Sequence, residues 1–134
     1  MYRRQFLTGI VAGFALPHSA VAYSPIPYAP ATWRDLRDSA DRVVVNFRAS
    51  WSLTCQIKED LIREALTDTP EYGSLTFVDV DWDTFGRSNW VQRNLKVERR
   101  STLIAFRNRK EVARLVNEPY ASPIRSFLDT AIKA

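Results

Sequence analysis

The sequence predicts an α/β fold in which helices cover a mixed sheet. Three observations carry that reading. Val43 to Phe47 form a β-branched, nearly continuous apolar run, the pattern of a central strand buried on both faces. A helical apolar period follows it closely, from Cys55 to Leu66. Further on, strand-like and helix-like stretches alternate until a charged turn, Arg107 to Lys110, joins two neighbouring strands as an antiparallel hairpin.

Taken in order, Tyr23 to Pro30 carries Pro25, Pro27 and Pro30 and reads as an extended linker. Thr32 can cap a short helix from Trp33 to Ala40. The strand from Arg42 to Phe47 comes next. In the helix after it, Ile57, Leu61, Ile62, Ala65 and Leu66 fall on one face, with Lys58, Glu59, Arg63 and Glu64 on the other. Thr67 to Pro70 ends it. Leu75 to Asp81 alternates as a second inner strand, and Asp83 or Thr84 caps a helix running through Trp90, Val91 and Leu95. Thr102 to Phe106 and Glu111 to Val116 are the hairpin strands. Ser122 as cap and Pro123 at the first helical position open a last helix, with Ile124, Phe127, Leu128 and Ile132 facing inward. The expected organisation is an export signal over 1–22, a linker over 23–31 and one domain over 32–134.

Composition narrows the functions. A chain of 134 residues, 46% hydrophobic and 25% charged, is globular and holds one ordinary core. The formal charge is +4, and setting aside Arg3 and Arg4 leaves 17 basic against 15 acidic residues, +2. That is too mild to suggest a nucleic-acid partner. Cys55 is the single cysteine, so no internal disulfide forms. The single histidine, His18, lies in the expected signal. Ser-His and Cys-His nucleophile pairs and His/Cys metal clusters are therefore not expected, nor is any cofactor.

Tyr2-Arg3-Arg4-Gln5-Phe6-Leu7-Thr8 resembles a twin-arginine export signal. An apolar stretch from Gly9 to Leu16 follows, and Ala20-Val21-Ala22 offers an A-x-A cleavage site. A general secretory signal and an uncleaved anchor are the alternatives. Each places the domain outside the cytoplasm, in the periplasm, with any membrane contact made only through an uncleaved signal.

Trp51-Ser52-Leu53-Thr54-Cys55, placed after a strand and opening a helix, resembles the Trp-Cys-x-x-Cys motif of the thioredoxin family. The likeness runs from about Trp33 to Lys133. It implies a three-layer α/β/α sandwich with a central mixed sheet, and a site at the carboxyl end of the central strand. Matched position by position, it also implies losses. The attacking cysteine is Ser52, whose hydroxyl cannot replace a thiolate without a base. Cys55 matches the resolving cysteine. The family's buried acid corresponds to Asn46, and its cis-proline to Ser101. A cis bond before a residue other than proline costs roughly 2.5–4 kcal/mol, so a trans Arg100-Ser101 bond and a reshaped groove are expected. Asp79 falls where the family often has a lysine, and is a candidate proton handler in place of the lost acid.

Dithiol oxidoreductase activity is not expected from this site. Cys55 is read as a small buried residue, with a monothiol or an oxidation sensor as the sharper alternatives. Trp51, Ser52, Leu53, Thr54, Arg100 and Ser101 form a candidate binding surface for a protein or peptide partner. Arg48, Arg99 and Arg100 are expected as solvated arginines, with a basic rim as the alternative. Asp79, Asp81 and Asp83 alternate as a hard-cation site would, but no glycine-containing calcium loop follows, and capping and solvent roles are expected. The function expected is a redox-degenerate binding or assembly factor. The alternatives are periplasmic thiol-disulfide exchange through Cys55 and a purely structural domain.

Overall fold

In the computed structural model, which describes residues 22–134, the chain forms β1 (Ile26–Pro27), α1 (Pro30–Ser39), β2 (Arg42–Arg48) and α2 (Leu53–Asp68). A 3₁₀ turn, Pro70–Ser74, leads to β3 (Thr76–Asp81) and a one-turn helix α3 (Trp82–Phe85). A π turn (Trp90–Asn94), β4 (Thr102–Arg107), β5 (Lys110–Val116) and α4 (Ala121–Lys133) complete it. The strands make one sheet in the order β1-β3-β2-β4-β5. β1 and β2 run parallel to β3, whereas β4 is antiparallel to both β2 and β5. This is the expected α/β/α sandwich on a mixed sheet.

The two-residue period of β2 divides the core. Val44 faces α2 and α4, packing with Ile62, Leu66, Leu103, Ile124 and Leu128. Val43, Val45 and Phe47 face the opposite way, toward Trp33, Val78, Val80 and Val91. Asn46 and Arg48 share Val44's face by the same period, which brings them under the start of α2.

Several boundaries depart from the sequence expectation. Part of the expected linker joins the sheet: Ile26 and Pro27 pair with Val78 and Asp79. An edge position tolerates the missing proline N–H. Thr32 caps nothing. α1 starts at Pro30, whose fixed φ and absent donor suit a first helical turn. The single helix expected from Asp83 through Leu95 is two short pieces. α4 begins at Ala121 without a side-chain cap, so Pro123 is its third residue. At the hairpin, Asn108 and Arg109 have φ 50° and 72°, the paired left-handed residues of a two-residue turn matched to strand twist.

The largest correction concerns α2. Lys58 and Glu59, expected outside, are buried, and Ile57, expected inside, is 40% exposed. Its buried stripe is Cys55, Lys58, Glu59, Ile62, Ala65 and Leu66. Beneath its first two turns the sheet presents Asn46 and Asp79, so polar side chains on the helix meet polar side chains on the strands.

Candidate functional site

The site lies where β2 ends and α2 begins. Ser52 is the N-cap of α2: it is extended, buried, and its Oγ accepts the Cys55 N–H at 3.3 Å. A short hydroxyl at this position satisfies one of the free amides of the first turn. Cys55 is a free thiol with 0% of its surface exposed. Neither residue of the Ser52/Cys55 pair faces solvent.

The flanking residues do. Trp51 is 61% exposed and Leu53 68%. Trp51 donates its indole N–H to the Asp83 carboxylate at 3.0 and 3.2 Å. The Arg100 guanidinium stacks over its ring at 4.5 Å, a cation–π contact that ties the loop before β4 to the motif. Thr54 is half-buried.

Ser101 is buried and has φ 65°. Its peptide bond is trans, like every other among the described residues. Its N–H donates to the Phe47 carbonyl at 2.8 Å, and its own carbonyl accepts the Asn117 N–H at 2.9 Å. Of the residues expected on a binding surface, Trp51 and Arg100 meet on the outside and Leu53 is exposed two residues on, whereas Ser52 and Ser101 are buried and hold the backbone.

Behind Cys55 lies a polar cluster. Asn46 and Asp79 are register partners on β2 and β3. The Asn46 amide donates to Glu59 Oε2 at 3.0 Å and Asp79 Oδ1 at 3.1 Å, with the Tyr23 hydroxyl at 3.5 Å. Arg48 Nε donates to Glu59 Oε2 at 2.5 Å and lies 3.9 Å from Asp79. Lys58 Nζ donates to the Phe47 carbonyl at 3.4 Å. Both carboxylates thus meet Arg48, Lys58 turns to the Phe47 carbonyl, and the formal charges of the cluster balance in sign.

Burial is the main cause of the shifts at Asp79, Lys58 and Tyr23. It raises Asp79, against the hydrogen bond from Asn46, and pushes Lys58 down to about 8. It also raises the Tyr23 phenol, reinforced by the charges of Asp79 and Glu59. The Glu59 hydrogen bond holds Arg48 above its usual value.

Sequence reasoning missed Tyr23, Lys58 and Glu59. The available signal was a buried Asn46 in mid-strand: its amide needs partners, and the helix after Cys55 is what covers it. Arg48, expected to be solvated or part of a rim, instead turns onto Glu59. The three alternating aspartates serve separate partners. Asp79 accepts from Asn46, Asp81 from Thr84 Oγ1 at 2.5 Å, and Asp83 from Trp51. Among the described residues no three His, Cys, Asp or Glu gather as a metal site would require.

No protein-family model and no curated protein matches the chain. Solved structures do. Trxlp of Edwardsiella tarda EIB202 superposes with a TM-score of 0.66 at 28% identity, over 78% of this chain and 98% of that one. Thioredoxin of Trypanosoma brucei brucei gives 0.64 at 21% identity, over 83% and 93%. The Malassezia sympodialis thioredoxin Mala s 13 gives 0.65 at 17% identity, over 81% and 91%. The architecture is a thioredoxin-like fold.

Proposed function

We propose that this thioredoxin-fold chain is an exported factor that binds or assembles a protein or peptide partner in the periplasm, without dithiol chemistry. One observation carries the reading: at the motif, the residues fit for thiol chemistry are covered, and the residues fit for contact are exposed. Cys55 has no exposed surface, while Trp51 and Leu53 present large apolar side chains with Arg100 beside them. Large aromatic and arginine side chains are the common anchors of protein contacts. Export rests on Arg3, Arg4 and Ala20 to Ala22, all but Ala22 outside the described residues. No helix among the described residues is long and apolar enough to cross a membrane.

A second reading, monothiol exchange through Cys55, has one observation in its favour. Cys55 and Lys58 lie one turn apart on the buried face of α2, which places a lysine beside the thiol. In that reaction the thiolate attacks a partner disulfide, one partner sulfur leaves as thiolate, and an external thiol releases the mixed disulfide.

The deciding experiment is the reaction of Cys55 with a thiol probe across pH, on the full chain, with and without denaturant. Binding alone gives no reaction until the protein unfolds. A fast reaction of the native protein overturns that reading in favour of the monothiol. A double variant, Trp51→Ala with Leu53→Ala, should then abolish partner crosslinking and leave the thiol reaction unchanged. Cell fractionation of an Arg3→Lys, Arg4→Lys variant tests export.

A further inference from the structure

The net positive charge of the described residues sits in one segment. Between α3 and β4, residues 87–100 hold Arg87, Arg93, Lys96, Arg99 and Arg100 against one acid, Glu98. The described residues as a whole have 17 basic and 15 acidic side chains, so outside this segment 12 basic residues meet 14 acidic ones. All five basic side chains of the segment are exposed. None of them lies within ion-pair reach of a carboxylate among the described residues, whereas eight of the nine arginines elsewhere are paired.

Both ends of this segment meet one tryptophan. Arg100 stacks on the Trp51 ring at 4.5 Å. Arg87 and Trp51 line one cavity of about 470 Å³, whose other walls are Trp82, Asp83, Gly86 and Gln92. Along residues 83–100 the acids are Glu98 and Asp83, and Asp83 already accepts the Trp51 indole N–H. The ring is therefore held in place beside an open cavity, with unpaired guanidiniums on two sides and 61% of its surface exposed.

We infer that the partner docks here through an extended acidic segment, its carboxylates on Arg87, Arg99 and Arg100 and one apolar side chain in the cavity that Trp51 and Trp82 line. The inference rests on the docking role proposed for the motif surface and adds the chemistry of what docks. Charge complementarity selects the acid. Exposed guanidiniums without an internal carboxylate exchange water for a partner's, and their planar forks take a carboxylate in bidentate fashion. The cavity selects a side chain over a flat lipid surface, where the Asp83 carboxylate would be carried into the acyl boundary at a cost.

The test titrates the full chain, at low ionic strength, with a peptide of glutamates around a central leucine. The Trp51 and Trp82 indole N–H resonances are followed by NMR. Two further peptides replace the glutamates by lysines, or the leucine by glycine. Saturable binding of the acidic peptide that moves both resonances and weakens as salt is added is the expected result. The lysine peptide should not bind, and the glycine peptide should bind several-fold more weakly. A triple variant, Arg87→Gln with Arg99→Gln and Arg100→Gln, should lose about tenfold, the joint worth of three exposed ion pairs. Arg34→Gln with Lys110→Gln and Lys133→Gln removes the same formal charge from exposed positions on α1, β5 and α4, and should lose no more than about twofold. No saturable binding of the acidic peptide, or equal loss in the two triple variants, overturns the inference. Equal binding of the lysine peptide, abolished by Trp51→Ala, overturns the acidic partner and leaves the docking role standing. Binding to phosphatidylglycerol but not phosphatidylcholine vesicles through the same three arginines, with no peptide bound, gives the surface to a membrane and overturns it too. The docking role itself falls separately, on a fast native reaction of Cys55.

Discussion

The amide of Ser101 donates to the carbonyl of Phe47 at 2.8 Å, pinning the entry of β4 to the end of β2. Proline, which the resembled family places here, has no hydrogen to give. Ser101 also lies in the left-handed region, φ 65°, where proline cannot follow. Replacing Ser101 by proline should cost more than about 2 kcal/mol, from a lost hydrogen bond and an incompatible φ. Ser101→Gly keeps the N–H and relieves a left-handed penalty of roughly 1–2 kcal/mol, offset by glycine's chain entropy of roughly 0.5–1. The glycine variant should therefore be slightly more stable. Urea midpoints at constant slope decide both, and an unshifted proline variant would refute this hydrogen-bonded geometry.

The Ser52 hydroxyl caps α2 and makes no other hydrogen bond among the described residues. Ser52→Ala should lower stability by about 1 kcal/mol, the usual worth of an N-cap hydroxyl. Loss well above that value would mean that the hydroxyl does more than cap.

Lys58 makes stability depend on pH. Burial lowers it from 10.5 to about 8. Between those values the unfolded chain holds a proton that the folded chain has released, so stability climbs as pH rises above about 8. Tyr23, raised by burial, acts in the opposite sense once unfolded phenols ionise near pH ~10. Lys58→Met should flatten the climb while leaving the alkaline fall. Urea midpoints of both proteins over about pH 7 to 10 test this, and an equal climb in the variant would assign it to another group.

Gly86 ends α3 against Trp82. A Cβ at Gly86 would stand 2.6 Å from the Trp82 carbonyl oxygen and 2.9 Å from its ring. The carbonyl is the harder contact to relieve, because it already accepts the Gly86 N–H at 2.8 Å. Gly86→Ala should cost about 1–3 kcal/mol as overpacking does, with a shift in tryptophan emission. An unchanged midpoint and spectrum would show that α3 moves freely.

The elements with strong periodicity were legible in the sequence. β2 and β4 announce themselves because a strand covered on both faces must be apolar throughout, and the Arg107–Lys110 turn because four polar residues separate two strand-like stretches. α3 was misjudged because a cap at Asp83 or Thr84 and apolar Trp90, Val91 and Leu95 read as one helix across Gly86 to Ser88, where the helix in fact breaks. Ile57, Lys58 and Glu59 were assigned to the wrong sides of α2 for a different reason. Hydropathy counts a residue without knowing what it will face, and a helix lying over Asn46 and Asp79 is better served by charge than by isoleucine.

By itself the sequence determined the α/β architecture, the location of the motif at a strand's carboxyl end and the absence of a second cysteine. These follow from residue types and short-range periods, which the local chain carries in full. Only the tertiary structure decided which motif residues are buried and that Lys58 and Glu59 complete a balanced cluster with Arg48 and Asp79. It alone brought Arg87 and Arg100 to the same tryptophan, Trp51. Burial and charge pairing are properties of surfaces meeting across the sheet, and no stretch of sequence contains both surfaces.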